Sequence, residues 1–393
     1  MRHPVLALVL VLAVSAPTAA APPQQGHDFT AEGRALLRVG ACGDGPAPAE
    51  FLERYVTKHC TIIDRAQEDY RTKWVSKARP FFADHVPADV PKKVVYPFSG
   101  GDLSTALTVY PDADEITTLS LEPAGDPRTL AALSTPVQKA KSQMIAPGLE
   151  RALGTIRDEL RFLYTVNFSN TMNMINAMRS GMLPTQLVFG LSALKIHGFE
   201  VVALRYFSLD EAGTIRYLSD AEVAAAPDVL KGKADTRNRV FANAEVQFRK
   251  PGGRVQIYRH LQVNLDDAHM KKDPRVIKHL AAKGPVAAMT KAASYLLSWP
   301  GFSTIRTYLT DHAVWMVSDA TGVPPKIGKA AGFEYETYGR YELSHMDGGK
   351  GVEKEWREEW AQQPRRDLPF RFGYYDGTKS HSNHLVIMRK KKS

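Results

Sequence analysis

The chain is short of cysteine and has no long apolar run, and each shortage closes a class of explanation. Cys42 and Cys60 are its two cysteines. His59 is a poor supplement to two thiols for holding a metal, and a redox pair needs closer spacing or a reason for a low thiol pKa. A Gly/Pro-rich loop, Gly43 to Pro48, and a short helix separate them. In an oxidising compartment such a pair most simply forms one disulfide.

The apolar run from Val5 to Ala16 spans about 12 residues, whereas a membrane span needs roughly 20. Arg2 and His3 precede it and Thr18-Ala19-Ala20 follows, so residues 1 to about 20 read as a cleavable signal peptide. No later stretch reaches spanning length, and no Cys stands just after the cut to carry a lipid. The mature chain is expected outside the cytoplasm, in the periplasm or beyond the cell, without a membrane span.

Other signatures are missing too. There is no G-x-S-x-G elbow, H-E-x-x-H pair or G-x-x-x-x-G-K-[ST] loop, and no repeat of solenoid or propeller period. The formal charge is +9, yet no RNA-binding or zinc-finger pattern accompanies it. Part of the excess sits in Arg389-Lys390-Lys391-Lys392. A solvated basic surface attracted to an anionic envelope is therefore expected, and not a nucleic-acid partner. His345, His381 and His384 hint at a metal, but His381 and His384 stand three apart at a strand start and face opposite sides, so no metal site is expected. Asn167-Phe168-Ser169 is a glycosylation sequon that matters only in a eukaryotic secretory route.

What is present is globular: 44% apolar and 24% charged residues, with about 370 residues after the leader, enough for a sizeable core. Residues 21–91 read as a helical N-terminal extension, with an amphipathic helix from Ile62 to Phe82. Residues 92–393 read as a Rossmann-like α/β domain. Its first unit is a strand at Lys93 to Phe98, the loop Ser99-Gly100-Gly101-Asp102, a helix at Leu103 to Tyr110, and a strand at Ile116 to Leu121 that ends at Glu122-Pro123. This βαβ pattern implies parallel strands in a sheet covered by helices on both faces.

Leu149 to Leu163 and Leu187 to Leu194 mark two helices, with an Asn- and Met-rich stretch, Asn167 to Met182, between them. Strands follow at Glu200 to Phe207 and Ile215 to Leu218. Ala244 to Arg249 and Val255 to Val263 flank Pro251-Gly252-Gly253 as an antiparallel hairpin. Helices at 285–298 and 303–311, a strand at Ala313 to Ser318 with the loop Asp319 to Pro325, and a last strand at His384 to Arg389 complete a mixed sheet.

Glycines where a strand gives way to a helix let a ligand approach backbone N–H groups, and an acid closing the next strand accepts from a ribose diol. Ser99-Gly100-Gly101 and Glu122 have that spacing, about 20 residues. Over residues 92 to 126 the arrangement resembles the nucleotide-binding half of class I S-adenosylmethionine-dependent methyltransferases. The resemblance implies that Ser99, Gly100 and Gly101 wrap the methionine part of the cofactor and that Glu122 holds its ribose. Two adjacent glycines replace the usual G-x-G, Tyr96-Pro97-Phe98 replaces an acidic strand end, and Asp102 stands where small residues are common.

The chain also resembles exported bacterial proteins of unknown function that carry a Tyr-Pro-Phe-Ser-Gly-x-Asp block, here Tyr96 to Asp102, and a Leu-Glu-Pro-x-Gly block, here Leu121 to Gly125. Arg249 to Gly253 and Val317 to Pro324 extend the likeness.

Two readings follow. In the first, Ser99 to Asp102, Glu122 and Thr321 hold a small polar ligand at the sheet edge, with Asp102, Glu122 and Asp319 as candidate catalytic carboxylates. Asp102 equally suits a cap for its helix, Glu122 a pairing with a lysine, and Asp319 a turn. S-adenosylmethionine is made in the cytoplasm, so export argues for a pocket emptied or given to another ligand. In the second reading the chain is a non-catalytic envelope or surface binding protein, its patch built from Trp356, Trp360, Arg365 and Arg366. Two Trp spaced four apart on a helix also suit an inward face.

Overall fold

The computed structural model describes residues 26–129, 139–169, 171–178, 181–229, 233–342, 350–373 and 383–391. The expected leader, His345 and His381 lie outside these residues. Ten strands form one mixed sheet: β1 (Lys93–Pro97), β2 (Glu115–Ser120), β3 (Glu200–Leu209), β4 (Ile215–Tyr217), β5 (Asn243–Arg249), β6 (Gln256–Gln262), β7 (Val286–Thr290), β8 (Ala313–Ser318), β9 (Phe333–Arg340) and β10 (Asn383–Lys390). Their spatial order is β4-β3-β5-β6-β2-β1-β7-β8-β10-β9.

The middle strands, β6-β2-β1-β7-β8, are parallel. From β1 the chain winds outward through β2 and β6, then returns to the other side of β1 with β7 and β8. The reversal between β1 and β7 is the place where α/β sheets of this kind form their crevice. Antiparallel strands flank the parallel core. β5 and β3 extend it on one side, and β10 inserts between β8 and β9 on the other.

Side chains of the central strands alternate between two cores, as the period of two requires. Val94, Tyr96, Ala287, Met289, Leu385 and Ile387 face one core, while Val95, Ala288, Val386 and Met388 face the other. Helices α1 (Thr30–Val39), α2 (Glu50–Tyr70), α3 (Ser76–His85), α4 (Leu103–Val109), α5 (Lys139–Val166), α6 (Thr171–Met178) and α7 (Thr185–Ile196) come before β3 in the chain. Leu36, Leu52, Val56, Leu149, Leu153 and Leu187 from this set fill the first core. Ile305 and Leu309 of α8 (Ser303–His312) and Trp356 of α9 (Lys350–Gln362) fill the second.

The expected helix over Ile62 to Phe82 is the centre of a longer helical run. It passes from α2 through a π-helical turn at Arg71–Val75 into α3. Cys42 and Cys60 are joined as a disulfide, with Cα atoms 5.2 Å apart. No helix among the described residues is long and apolar enough to cross a membrane.

One local expectation needs correcting. Residues 285–298 are not one helix: Val286–Thr290 is β7, and a 3-10 helix follows at Ala292–Ser298. Every residue of β7 is buried between β1 and β8, and a short, mostly apolar run carries no period that separates strand from helix. The Asn- and Met-rich stretch after Asn167 contains α6.

Candidate functional site

The chain leaves β1 at Pro97, takes positive φ at Phe98 and Gly100, and enters α4 at Leu103. Asp102 is the cap of that helix: its Oδ1 accepts from the Thr105 N–H at 3.2 Å and from Thr105 Oγ1 at 2.7 Å. Its other oxygen has a second set of partners. Tyr96 donates its hydroxyl to Oδ2 at 3.1 Å, and Lys291 Nζ stands 3.3 Å from the same atom.

Lys291 is the residue just past β7, so the ion pair spans the two strand ends of the switch point. The lysine is fully buried. Its ammonium donates to the Asn167 carbonyl and lies 4.9 Å from the centre of the Phe372 ring. Burial drags its pKa below the usual ammonium value, against the pull of the Asp102 and Asp319 carboxylates. Burial, then the negative charge of Asp102, holds the Tyr96 phenol well above its ordinary range. Asn167, in left-handed conformation past the end of α5, completes the cluster. With its amide nitrogen turned toward Thr105 Oγ1 and the Tyr70 hydroxyl, each 3.0 Å away, its oxygen accepts from Lys291 Nζ and Trp74 Nε1 at 3.2 Å.

The glycine loop is covered by the chain itself. The Gly101 N–H donates to Ser169 Oγ at 3.0 Å, and the Gly100 carbonyl accepts from Gln186 Nε2 at 2.7 Å. Phe189 of α7 lies so close to Gly101 that a Cβ there would overlap its ring. The Ser99 N–H returns to the Leu119 carbonyl at 3.1 Å.

The loop after β2 is pinned in the same way. The Ala124 and Gly125 N–H groups donate to the carbonyls of Ala242 and Phe241, and the Tyr206 hydroxyl donates to the Gly125 carbonyl at 2.7 Å. Glu122 is fully buried, and its carbonyl accepts from His260 Nε2 at 2.7 Å. Burial lowers the His260 pKa to about 4 although that bond opposes it. Asp319, past β8, makes the turn: Oδ1 accepts from the Thr321 N–H at 2.9 Å and from Thr321 Oγ1. Its Oδ2 accepts from the Ala292 N–H at 3.3 Å, which ties the β8 loop to the β7 loop.

The strand-end loops therefore meet at the switch point. Ser99, Asp102, Glu122, Asp319 and Thr321 are each at most 2% exposed. Asp102 works as a cap and as one half of an ion pair.

Lys291 and Asn167 were not among the expected site residues. Lys291 lay inside the stretch expected to be helical, although its place directly after Val286-Ala287-Ala288-Met289-Thr290 is that of a polar residue closing a buried strand. Asn167 has no comparable sequence signal.

Trp356 and Trp360 do not form an outward patch. Trp356 is fully buried against Tyr335, and Trp360 packs between Tyr341 and His384. The 3.6-residue period puts both on the inner face of α9. His384 is buried, which lowers its pKa. Among the described residues no three His, Cys, Asp or Glu converge as metal ligands. No family model, curated protein or solved structure matches this chain.

Proposed function

We propose that the chain is an exported binding protein on a Rossmann-like scaffold, whose switch-point residues fasten the loops together and do not catalyse. The observation that carries this reading is the Lys291–Asp102 pair, which occupies the crevice between β1 and β7 and is shut in by Tyr96, Asn167 and Phe372. Perturbed ionisable groups gather at active sites, but structural ion pairs perturb them too. A catalytic pair has to meet its substrate, and this one is out of reach of solvent.

The likeness to S-adenosylmethionine-dependent methyltransferases is then one of scaffold. The doubly wound order of the parallel strands supports that reading. The residues present do not fit that cofactor. Ser169 holds the Gly101 N–H, Phe189 fills the space a ligand would enter, and the Glu122 side chain has no exposed surface. Export supports the same conclusion, because an exported protein has no supply of a cytoplasmic cofactor.

A thermal-shift screen of residues 21–393 against S-adenosylmethionine, nucleosides, metals and wall fragments tests this, with Glu122→Ala and Asp102→Ala alongside. S-adenosylmethionine and nucleosides are expected to leave the melting temperature of the parent unchanged. Stabilisation of the parent that vanishes in both variants would restore the edge as a ligand pocket.

A further inference from the structure

A cleft of about 860 Å³ opens between α2, α5 and the segment 368–371. Asn383 also lines it, at the start of β10, and so places it beside the edge where β8 ends. Among the described residues its charged lining is lopsided: Arg65, Lys73, Lys77, Arg161 and Arg371 face it, against one carboxylate, Asp69. Asp69 pairs with Lys73 at 2.9 Å. The cations come from three separate segments, and a cleft lined mostly by one sign of charge raises the local concentration of the opposite ion.

The floor is aromatic. Tyr70 stacks on Trp74 with ring centres 5.1 Å apart, and Phe370 meets Trp74 edge-on at 5.7 Å. The α2 wall is also irregular, since the π turn at Arg71–Val75 supplies Lys73 and Trp74. Such turns are rare and are often found at functional sites.

From these features we infer that the cleft is the ligand site of this protein and that its ligand is a small phosphate ester. The phosphate would lie on the arginine and lysine side chains, and the apolar body against Tyr70, Trp74 and Phe370. The volume suits a small molecule. A group of charge near −2 answers several cations at once, and planar guanidinium forks pair it bidentately. This inference rests on the binding-protein reading above and gives it a ligand class. Asn167 lines the cleft and also touches Lys291, so an occupant would sit one residue from the closed switch point.

The test is titration of residues 21–393 with phenyl phosphate and with pyrophosphate, read by tryptophan fluorescence and melting temperature. Phosphatidylglycerol vesicles form a separate arm, in which the phosphate belongs to a lipid headgroup. A saturable response is expected, weakened roughly tenfold or more in the exposed pair Arg65→Gln/Arg161→Gln and strongly reduced at high salt. Asp69→Asn, which removes the one carboxylate, should tighten binding.

A response to vesicles alone that is lost in the arginine variant assigns the phosphate to a lipid headgroup and keeps the chemistry. Silence with all three probes, or an unchanged response in the arginine variant, overturns the inference. If S-adenosylmethionine and nucleosides are silent as well, the binding-protein reading survives that failure. A nucleoside shift abolished by Glu122→Ala would bring down both.

Discussion

Asp102 carries two roles, and their separation is measurable. Replacing it by Ala removes the cap of α4 and leaves the Lys291 ammonium buried without its carboxylate. Breaking a buried pair in this way costs about 3–5 kcal/mol. Asp102→Asn with Lys291→Met keeps a capping side chain and removes both charges, so it should cost clearly less than Asp102→Ala alone in urea unfolding.

The sequence leaves Asp102 open between a helix cap and a candidate carboxylate of the site, and the cap is the role that an Asp before an apolar run offers locally. The partner at 291 is not legible, because the two come together only through the pairing of β1 with β7.

Buried histidines set the response to acid. Burial, with the Arg79 charge beside it, lowers the His197 pKa from 6.5 to about 3, and burial lowers that of His260 from 6.5 to about 4. Below 6.5 the unfolded chain takes up protons that these folded residues refuse, so stability falls as pH drops from about 6.5 toward 3–4. Burial alone would raise the Glu115 pKa, but Lys283 and Arg259 hold it at about 2, and its contribution is lost as pH falls from 4.5 toward 2. All three act in the same direction. Denaturant melts between pH 7.5 and 4 should show a steady loss that His197→Gln makes shallower; a flat profile would contradict the buried, neutral state of these rings.

At the scale of elements, the chain announces those with a clear period or a marked turn. The βαβ unit, the leucine-spaced helices and the hairpin at Pro251-Gly252-Gly253 stand where the residues indicate, and Gly252 takes the positive φ that the turn requires. Elements whose identity depends on neighbours are not legible. β7 is mostly apolar because its two faces lie in the two cores while β1 and β8 cover its edges, and β9 forms by pairing with β10, some fifty residues further on.

The disulfide is readable from the cysteine count and the expected leader, and its anchorage is not. His59 Nε2 bonds the Gly40 carbonyl at 2.9 Å, and Gln67 bonds both the Ala41 carbonyl and Ser192 Oγ, so α2 holds the Cys42 loop beside the bond. Replacing both cysteines by serine should lower stability by about 3 kcal/mol, the value expected for a loop of this size. The parent treated with reductant should lose the same amount, and an unchanged midpoint under reduction would show that the bond carries no stability.

For the whole molecule, the doubly wound order concentrates strand-end loops at one edge, and this chain spends them on one another. The polar residues that suggested a pocket in the sequence are those that seal it, because burial turns a cap, a turn and a strand-end lysine into mutual partners. Cations meanwhile line a cleft beside the same edge, lopsided in charge and of a size for a small ligand. That division of labour depends on tertiary packing of α2, α5 and the chain near β10.

Hydrogen exchange of the amides of residues 99–105 reports on the closed edge most directly. A sealed edge predicts exchange close to the rate of global unfolding, unchanged by S-adenosylmethionine or adenosine. Fast exchange in the free protein, slowed on adding either compound, would show an open pocket at the glycine loop and contradict a sealed edge.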